Sequence, residues 1–354
     1  MTPSPLSQRL LDDRVDVIGD VHGEIDSLRA LLAGLGCDVE RARVERPIVF
    51  LGDLVDRGPD SVAVVELVEH LVRSGVAQMV LGNHECNLLR GDEKEGNGCF
   101  SERRVRPDGW HHAGTFVPFA SRMATSEERA RIRAFLTRMP LTLEGPSMRI
   151  VHAAWSADAV ARLAGLTSVE EALGVEEGPE SDRIATRFPD APTLAQILDP
   201  SVRPPVHAAF AHALAEAQNA NPAKVLTSGL ERPVPEGVEP VFVGGKWRLT
   251  ERDPWWESDD DPRPVVFGHY WRRRSHGGTP FKAWVFGSTP PDAWFGRHGQ
   301  AFCVDYSVGY RFRARHLGDD GRRDFALAAL RMPEALLRFD DGSGWSPTSR
   351  SARS

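Results

Sequence analysis

The sequence predicts an α/β fold in which a β-sandwich is flanked by helices and carries a helical insertion. Short apolar runs, typical of strands covered on both faces, recur along the chain, and amphipathic helical segments lie between them. Because open α/β sheets keep their sites beyond the carboxyl ends of the strands, the loops that follow such runs are predicted to meet in one crevice. The five loops in question are GDVHG (19–23), GDLVDRG (52–58), GNHE (82–85), VHAAW (151–155) and FGHY (267–270).

Length and composition narrow the class of protein. At 354 residues and 41% hydrophobic content, the chain can bury a full core. Its net charge of −7 makes nucleic acid an unlikely partner. Four cysteines without CxxC spacing argue against a zinc ribbon and favour a reducing compartment. The sequence shows neither a signal peptide nor about 18 consecutive apolar residues, so we expect a cytoplasmic protein without membrane contact.

Two segments between the first three loops have the spacing of helices packed on a sheet. Residues 24–36 place apolar side chains at helical intervals and end at a glycine. Residues 59–75 do the same, and Pro59 is expected at the first helical position, where its missing N–H costs nothing.

The second half of the chain changes in character. Residues 156–225 are rich in alanine and mixed charges, which predicts a helical insertion that covers the site. We expect the catalytic domain to span residues 14–340 and the polar residues 341–354 to form a disordered tail. Four later runs are predicted to be strands of a second, largely antiparallel sheet: KAWVF (282–286), AFCVD (301–305), FALAAL (325–330) and ALLRFDD (335–341).

The five loops together supply a mixed set of oxygen and nitrogen ligands that could hold two divalent metal ions about 3.5–4 Å apart. The candidate ligands are Asp20, His22, Asp53, Asn83, His152 and His269. A carboxylate such as Asp53 can bridge two cations, and the guanidinium of Arg57 could bind a phosphoryl oxygen through two hydrogen bonds. Each fragment alone has an ordinary interpretation. GDLVDRG could be a turn with an Asp56–Arg57 ion pair on the surface, and His152 and His269 could be half-buried histidines bonded to the backbone. Their conjunction at five strand ends favours a metal site.

The ordered set of motifs resembles the signature of the calcineurin-like metallophosphoesterases. It is similar in particular to the branch that contains the serine/threonine phosphoprotein phosphatases (PPP) and the bacterial diadenosine tetraphosphatases. The related phosphodiesterases typically carry GHxH in the last block, and Trp271 stands here in place of the second histidine. The resemblance covers residues 19–270 and implies a metallophosphoesterase-type sandwich with a dinuclear metal site at the strand ends.

The resemblance also implies a role for each motif residue. Asp20 and His22 would bind the first metal, Asp53 would bridge, and the second metal would be bound by Asn83, His152 and His269. Arg57 would hold the phosphate, and His84 would act as the general acid with Asp56 orienting it. Manganese is the preferred metal, with iron, zinc, nickel or cobalt as alternatives.

Some features of the sequence leave alternatives open. A further phosphate-binding arginine usual in the family has no local motif here, and the candidates are Arg183, Arg187, Arg248 and Arg252. Trp255 and Trp256 could stack on a nucleobase, although packing of the insertion onto the sheet is favoured. The arginines at 272–274 could bind a polyphosphate or form a solvated surface run.

The predicted function is that of a metal-dependent phosphatase. It would hydrolyse phosphomonoesters of a phosphoprotein or a small metabolite by direct attack of a metal-bridging hydroxide. The alternative is a diadenosine-tetraphosphatase-like hydrolase that cuts a phosphoanhydride. A scaffold without catalysis is disfavoured because the ligand set is intact alongside His84, Asp56 and Arg57.

Overall fold

The predicted α/β fold is confirmed, and its main strands lie in two sheets. The computed structural model describes residues 4–94, 96–101, 108–112, 115–174, 184, 186–243, 246–274 and 283–350. The first sheet has six strands in the spatial order β18 (Ser346–Pro347), β17 (Leu336–Phe339), β16 (Ala328–Arg331), β2 (Asp16–Ile18), β3 (Ile48–Phe50) and β4 (Ala77–Met79). Because β2, β3 and β4 are parallel, the first three polar loops leave this sheet at one edge.

The second sheet has five strands and carries the other two loops. Its spatial order is β1 (Ser7–Arg9), β7 (Thr142–Glu144), β8 (Arg149–Val151), β13 (Val265–Phe267) and β15 (Ala301–Cys303). β8, β13 and β15 are parallel, so the loops VHAAW and FGHY also leave at a common edge. The site loops are therefore divided between two sheets.

The two sheets share one apolar core, as expected of a sandwich. Alternate strand residues from both sheets are almost completely buried together: Val17, Val49, Ile150, Val266 and Phe302. Because neighbouring residues of a strand point to opposite faces, Ile18 and Phe50 belong to a second core that includes Leu28 of the first helix. Because both faces of these strands are covered by apolar residues, the strands appear in the sequence as continuous apolar runs.

Both predicted helices are present. They are α1 (Ile25–Gly34) and α2 (Ser61–Arg73). The position predicted for Pro59 is wrong, because α2 begins after Asp60, whose Oδ1 accepts a hydrogen bond of 2.9 Å from the N–H of Ala63. The first N–H groups of a helix have no partner within the helix, and the Asp60 carboxylate accepts a hydrogen bond from one of them. Asp60 is therefore the residue that caps the helix, and Pro59 lies before it. Two further helices follow, α3 (Asn83–Arg90) and α4 (Ser126–Leu136).

The segment between β8 and β13 contains helices and two small antiparallel sheets. Its helices are α5 (Ala157–Arg162), α6 (Val169–Leu173), α7 (Leu194–Leu198), α8 (Ala208–Ala220) and α9 (Pro222–Ser228). Its strands are paired as β9 (Glu231–Pro233) with β12 (Thr250–Arg252) and as β10 (Val241–Val243) with β11 (Lys246–Arg248). The domain limits 14–340 and 156–225 stay predictions.

The C-terminal region differs from the expected antiparallel second sheet. AFCVD contributes β15 to the mostly parallel second sheet, whereas FALAAL and ALLRFDD contribute β16 and β17, which lie antiparallel beside β2 in the first. KAWVF was wrongly expected to be a strand, because Ala283–Phe286 is a helix, α10. A short apolar run does not distinguish a strand from a buried helical turn.

The remaining elements are short. β14 (Ala293–Trp294) pairs with β19 (Ser349–Arg350), and β18 pairs with β17, so residues 346–350 are ordered into strands rather than forming a disordered tail. Residues 351–354 lie outside the described residues. A hairpin of β5 (Gly109–His112) and β6 (Thr115–Pro118) and the helix α11 (Arg311–His316) complete the list. None of the helices in the described ranges is long and apolar enough to cross a membrane.

Candidate metal centre

The five predicted loops converge, and backbone hydrogen bonds join them to one another. The N–H groups of Val21 and His22 donate to the carbonyl of Asp53 at 3.0 and 2.8 Å. Across the sandwich, the N–H of His269 donates to Asp20 at 3.2 Å, which ties a loop of the second sheet to a loop of the first. Within the second sheet, the N–H of Gly268 donates to the carbonyl of His152 at 2.8 Å. The candidate ligands are thus positioned by main-chain contacts.

Asp53 lies at the centre of the cluster. Its Oδ2 is 3.7 Å from Nε2 of His22 and 3.8 Å from Nε2 of His84, and its Oδ1 is 3.4 Å from Nε2 of His152. Two groups of potential ligand atoms, each within 4.8 Å of one another, share this carboxylate: His22, Asp53 and His84, and Asp53, His152 and His269. A shared carboxylate between two groups is the arrangement expected of a bridging ligand.

Two of the histidines are oriented by backbone carbonyls. Nδ1 of His22 donates to the carbonyl of Val55 at 3.0 Å, and Nδ1 of His152 donates to the carbonyl of Leu51 at 2.6 Å. Because a carbonyl can only accept, Nδ1 carries the hydrogen and Nε2 of a neutral ring is available as a ligand. Asn83 extends the second group, with its Oδ1 3.3 Å from Nε2 of His152.

Two glycines of the motifs are required by close approach to the carboxylates. A Cβ at Gly268 would lie 2.1 Å from Oδ1 of Asp20, and a Cβ at Gly82 would lie 2.2 Å from Oδ1 of Asp53. No side chain fits at such distances, so FGHY and GNHE need glycine at these positions.

The electrostatics of the cluster match a site for cations. Burial raises the pKa of Asp20, and the neighbouring charge of Asp305 raises it further. Burial also opposes ionisation of Asp53, but the imidazoles of His152 and His84 hold its pKa well below its usual range. Burial lowers the pKa of His152, yet the Asp53 carboxylate raises it to about 10. Carboxylates and imidazoles that are buried together are stabilised by bound divalent cations, so the donor set fits two such ions.

His84 is held by a buried carboxylate. Its Nδ1 lies 2.5 Å from Oδ2 of Asp56, which is completely buried. Burial raises the pKa of Asp56, whereas the imidazole of His84 opposes that change. Asp56 is itself held by a hydrogen bond of 2.9 Å from its N–H to Oγ of Ser61. The pairing leaves Nε2 of His84 facing the cluster.

Arg57 faces the same cluster. Its two terminal nitrogens lie 3.2 Å from Nε2 of His22 and 3.2 Å from Nε2 of His84. All of the predicted site residues are therefore brought together: Asp20, His22, Asp53, Asp56, Arg57, Asn83, His84, His152 and His269.

Two acidic residues that received no role from the sequence organise the centre. Glu85 is fully buried and accepts hydrogen bonds from the N–H groups of Gly82 at 2.9 Å and Asp53 at 2.8 Å. Asp305 accepts from the N–H of Trp271 at 2.8 Å. The rule that identified the candidate ligands, a polar residue at the end of an apolar run, also applies to Asp305, which follows β15 and Val304.

The open alternatives from the sequence have different outcomes. Trp255 and Trp256 are each 2% exposed in an aromatic cluster, so the packing interpretation is confirmed. Arg272 is buried and donates to three backbone carbonyls, which excludes a solvated run at that position.

Three of the four candidates for a second phosphate-binding arginine lie within the described residues. Arg183 lies outside the described residues, Arg187 stacks on Phe188, Arg248 lies on β11, and Arg252 on β12 bonds Glu231 at 2.7 Å.

Comparison with known proteins agrees with this geometry. The family model of the calcineurin-like phosphoesterases matches residues 13–136. An asymmetrical bis(5'-nucleosyl)-tetraphosphatase of Oceanobacillus iheyensis is 45% identical over 80 residues, which are 22% of this chain and 32% of that protein. A symmetrical bis(5'-nucleosyl)-tetraphosphatase of Hamiltonella defensa is 42% identical over 73 residues, or 21% and 24% of the two chains. The chain thus spans a third or less of the length of these relatives.

An alignment with a solved structure covers more of the chain. The solved structure of a protein serine/threonine phosphatase from Saccharomyces cerevisiae aligns with 99% of this chain and 85% of its own length, at 13% identity and a TM-score of 0.44. Residues 13–136 are therefore similar to the calcineurin-like phosphoesterases, as the sequence motifs led us to expect.

Proposed function

We propose that the protein is a metal-dependent phosphatase that hydrolyses phosphomonoesters of a phosphoprotein or a small metabolite. The observation that carries the proposal is the buried Asp53 carboxylate, with Nε2 atoms of His22, His84 and His152 within 3.4–3.8 Å and the Arg57 guanidinium beside them. Metal ligands and a phosphate-binding group in one cluster are what hydrolysis of a phosphate ester requires. The cytoplasmic location stays a prediction.

The donor set supports two cation positions. The first would be held by Asp20, His22 and Asp53, and the second by Asp53 with Asn83, His152 and His269. Mixed carboxylate, amide and imidazole ligands favour Mn²⁺, with iron, zinc, nickel or cobalt as alternatives. Bound there, two divalent cations would lower the pKa of a water for attack on phosphorus and neutralise the phosphoryl oxygens.

The side chains around these positions have separate tasks. Arg57 presents a planar set of donors that can bind two phosphoryl oxygens at once. His84 would give the proton at Nε2 to the leaving oxygen, while Asp56 holds Nδ1 and thereby fixes the ring. His84 also belongs to one of the two groups of potential ligands, so its role as an acid must be separated from a role as a ligand.

Asp53→Asn tests the proposal. We expect the wild-type protein loaded with Mn²⁺ to hydrolyse para-nitrophenyl phosphate and to lose this activity on exhaustive chelation. Asp53→Asn should lose both metals and nearly all turnover, whereas Asp158→Asn, which changes an exposed carboxylate on α5, should match the wild type. Hydrolysis that survives chelation, in a protein without bound metal by elemental analysis, would refute the proposal.

A second candidate function is hydrolysis of a phosphoanhydride in a dinucleotide, the activity named for the two bacterial relatives. A row of cations favours it. Lys246, Arg248 and Arg252 occupy even-numbered positions of β11 and β12, with Thr250 between the two arginines, while Trp247 and Leu249 are buried on the opposite face. Arg252 lies beside Tyr270, the neighbour of the ligand His269, because both side chains pass over Gly229. Such a row could bind phosphates beyond the one that reacts.

The two functions are separated by rates measured side by side on para-nitrophenyl phosphate, a phosphopeptide and diadenosine tetraphosphate. If the cation row binds a polyphosphate, the double variant Lys246→Gln, Arg248→Gln should raise KM for diadenosine tetraphosphate and leave the monoester unchanged. Arg232→Gln is the matched control, because Arg232 lies on β9 and pairs with Glu251 at 2.8 Å. Equal effects of both variants would exclude the row as a polyphosphate site.

A further inference from the structure

We propose that Trp271 is a positioning residue whose indole ring holds the guanidinium of Arg57 toward the metal centre. The inference rests on the proposed function, because it gives Arg57 the task of binding phosphate. It concerns a position at which this chain has a tryptophan directly after the ligand loop FGHY.

The contact between the two side chains is a cation–π contact. The guanidinium carbon of Arg57 lies 5.2 Å from the centroid of the Trp271 ring. The same guanidinium directs its terminal nitrogens at His22 and His84, each at 3.2 Å. Because the N–H donors of a guanidinium lie in its plane, an aromatic ring over one face can orient the group and leave those donors available to two phosphoryl oxygens.

The backbone of Trp271 fixes the direction of the ring. Its φ of 56° is in the left-handed region, which a bulky residue seldom adopts without support from its surroundings. That support comes from Asp305, whose Oδ2 accepts from the N–H of Trp271 at 2.8 Å and whose Oδ1 accepts from the N–H of Ser307 at 2.7 Å. Tyr310 packs edge-on against the ring with centroids 4.9 Å apart.

Arg57 is constrained from its own side as well. Its φ is 69°, and its N–H donates to the carbonyl of Gly96 at 3.2 Å. The backbone therefore fixes where the side chain starts, but four side-chain torsions remain free. The contact with Trp271 restricts those torsions and reduces the entropy lost when a phosphoryl group is bound.

The test compares Trp271→Ala, Trp271→Leu and Trp271→Phe in the metal-loaded protein. The readouts are KM and kcat for para-nitrophenyl phosphate, the dissociation constant of orthophosphate by calorimetry, and metal content. We expect the alanine and leucine variants to raise KM and the orthophosphate dissociation constant about tenfold, as the loss of a partly desolvated cation–π contact implies. kcat and metal content should change little, and phenylalanine should restore most of the binding.

A matched control and a double-mutant cycle separate positioning from a general effect on folding. Trp345→Ala removes a tryptophan stacked on Arg331 at 4.1 Å, and it should leave orthophosphate binding unchanged. In an Arg57→Ala background, Trp271→Ala should cause no further loss of orthophosphate binding, because the group that it positions is absent.

The outcomes distinguish this inference from the proposed function. If the metal-loaded wild-type protein hydrolyses the ester but Trp271→Leu binds orthophosphate normally, the positioning role is overturned and the proposed function stands. Independent, additive losses in the double-mutant cycle would also overturn the positioning role. If the wild type fails to hydrolyse any ester, the proposed function is wrong, and the orthophosphate constants alone still decide whether Trp271 acts through Arg57.

Discussion

His84 illustrates how a residue acquires a role from its contacts. Its Nδ1 faces the buried carboxylate of Asp56 at 2.5 Å, and its Nε2 faces Arg57 at 3.2 Å. A histidine after asparagine in a loop is ordinary in sequence, and only the pairing with a buried carboxylate distinguishes it. We therefore expect His84 to act on the proton of the leaving group rather than to hold a metal.

His84→Asn tests that assignment. Without a proton donor, aryl esters with poor leaving groups should slow about 10²-fold or more, whereas those with good leaving groups should slow far less. The measurement is kcat over a series of substituted phenyl phosphates, with metal content determined on the same samples. Metal content should equal that of the wild type, and a variant that lost one metal would assign His84 to the ligands instead.

The residues that form the cluster could be predicted from the sequence because the rule behind them is local. A polar residue at the end of an apolar run, directly or after one glycine, identified Asp20, Asp53 and His152, and the structure places all of them in one cluster. Two supporting residues could not be assigned in the same way. Glu85 acts through four backbone N–H groups that only the folded loop presents, and Trp271 acts through a guanidinium more than 200 positions earlier in the chain.

At the scale of elements, Glu85 joins α3 to the loop after β3. Oε2 accepts from Gly82 and Asp53, and Oε1 accepts from Leu54 at 2.8 Å and Val55 at 3.3 Å. A buried carboxylate that satisfies four donors fixes both the start of the helix and the backbone at Asp53.

Glu85→Gln should therefore weaken both the fold and the metal site. An amide has one oxygen acceptor, so some of the N–H groups lose their partner, and we expect the free energy of unfolding to fall by about 3 kcal/mol. Urea unfolding of the metal-free protein and metal titration measure the two effects. Glu128→Gln, in the exposed capping box of α4, is the control and should leave metal affinity unchanged. Wild-type metal affinity in Glu85→Gln would contradict a link between this carboxylate and the ligand loop.

The ion pair between Arg46 and Glu334 joins the residues before β3 to the turn between β16 and β17. Arg46 donates to both carboxylate oxygens of Glu334 at 2.7 Å. This hydrogen bonding lowers the pKa of Glu334 to about 2 from an ordinary value of 4.5. A carboxylate whose folded pKa is depressed stabilises the fold above its unfolded pKa, and that stability is lost as the pH falls from about 4.5 toward about 2.

Glu334→Gln should accordingly cost stability at neutral pH and much less in acid. Because the pair is partly exposed, the expected cost at pH 7 is about 0.5 kcal/mol. Urea midpoints of wild type and variant should differ at pH 7 and approach each other at pH 3. A difference that stays constant with pH would show that Glu334 stabilises the turn by packing rather than by charge.

At the scale of the whole molecule, the sequence could not assign strands to sheets. Helical spacing predicted α1 and α2 because it depends on neighbours three and four residues apart. The pairing of β16 with β2, in contrast, joins residues more than 300 positions apart, and no local pattern specifies it. The expected antiparallel second sheet was wrong for this reason, although the sandwich itself was predicted correctly.

The division of the site loops between two sheets has a consequence for stability. Asp20, His22, Asp53 and Asn83 follow strands of the first sheet, whereas His152 and His269 follow strands of the second. These candidate ligands converge only when the sheets pack together, so cations bound by all of them would bind the folded chain and not the unfolded one. Such binding stabilises the fold by mass action, by about 2.7 kcal/mol at a metal concentration 100 times the dissociation constant.

Metal should therefore raise the melting temperature in proportion to the logarithm of its concentration. Calorimetry of the chelated protein titrated with Mn²⁺ should show a rise of a few degrees that Asp53→Asn abolishes. Asp20→Asn, in a loop of the first sheet, and His152→Asn, in a loop of the second, should each reduce the rise, because each removes a ligand from a different side of the interface. Asp158→Asn should follow the wild type. A full rise in His152→Asn would mean that one sheet binds the metal alone, and the cations would then not join the two halves of the sandwich.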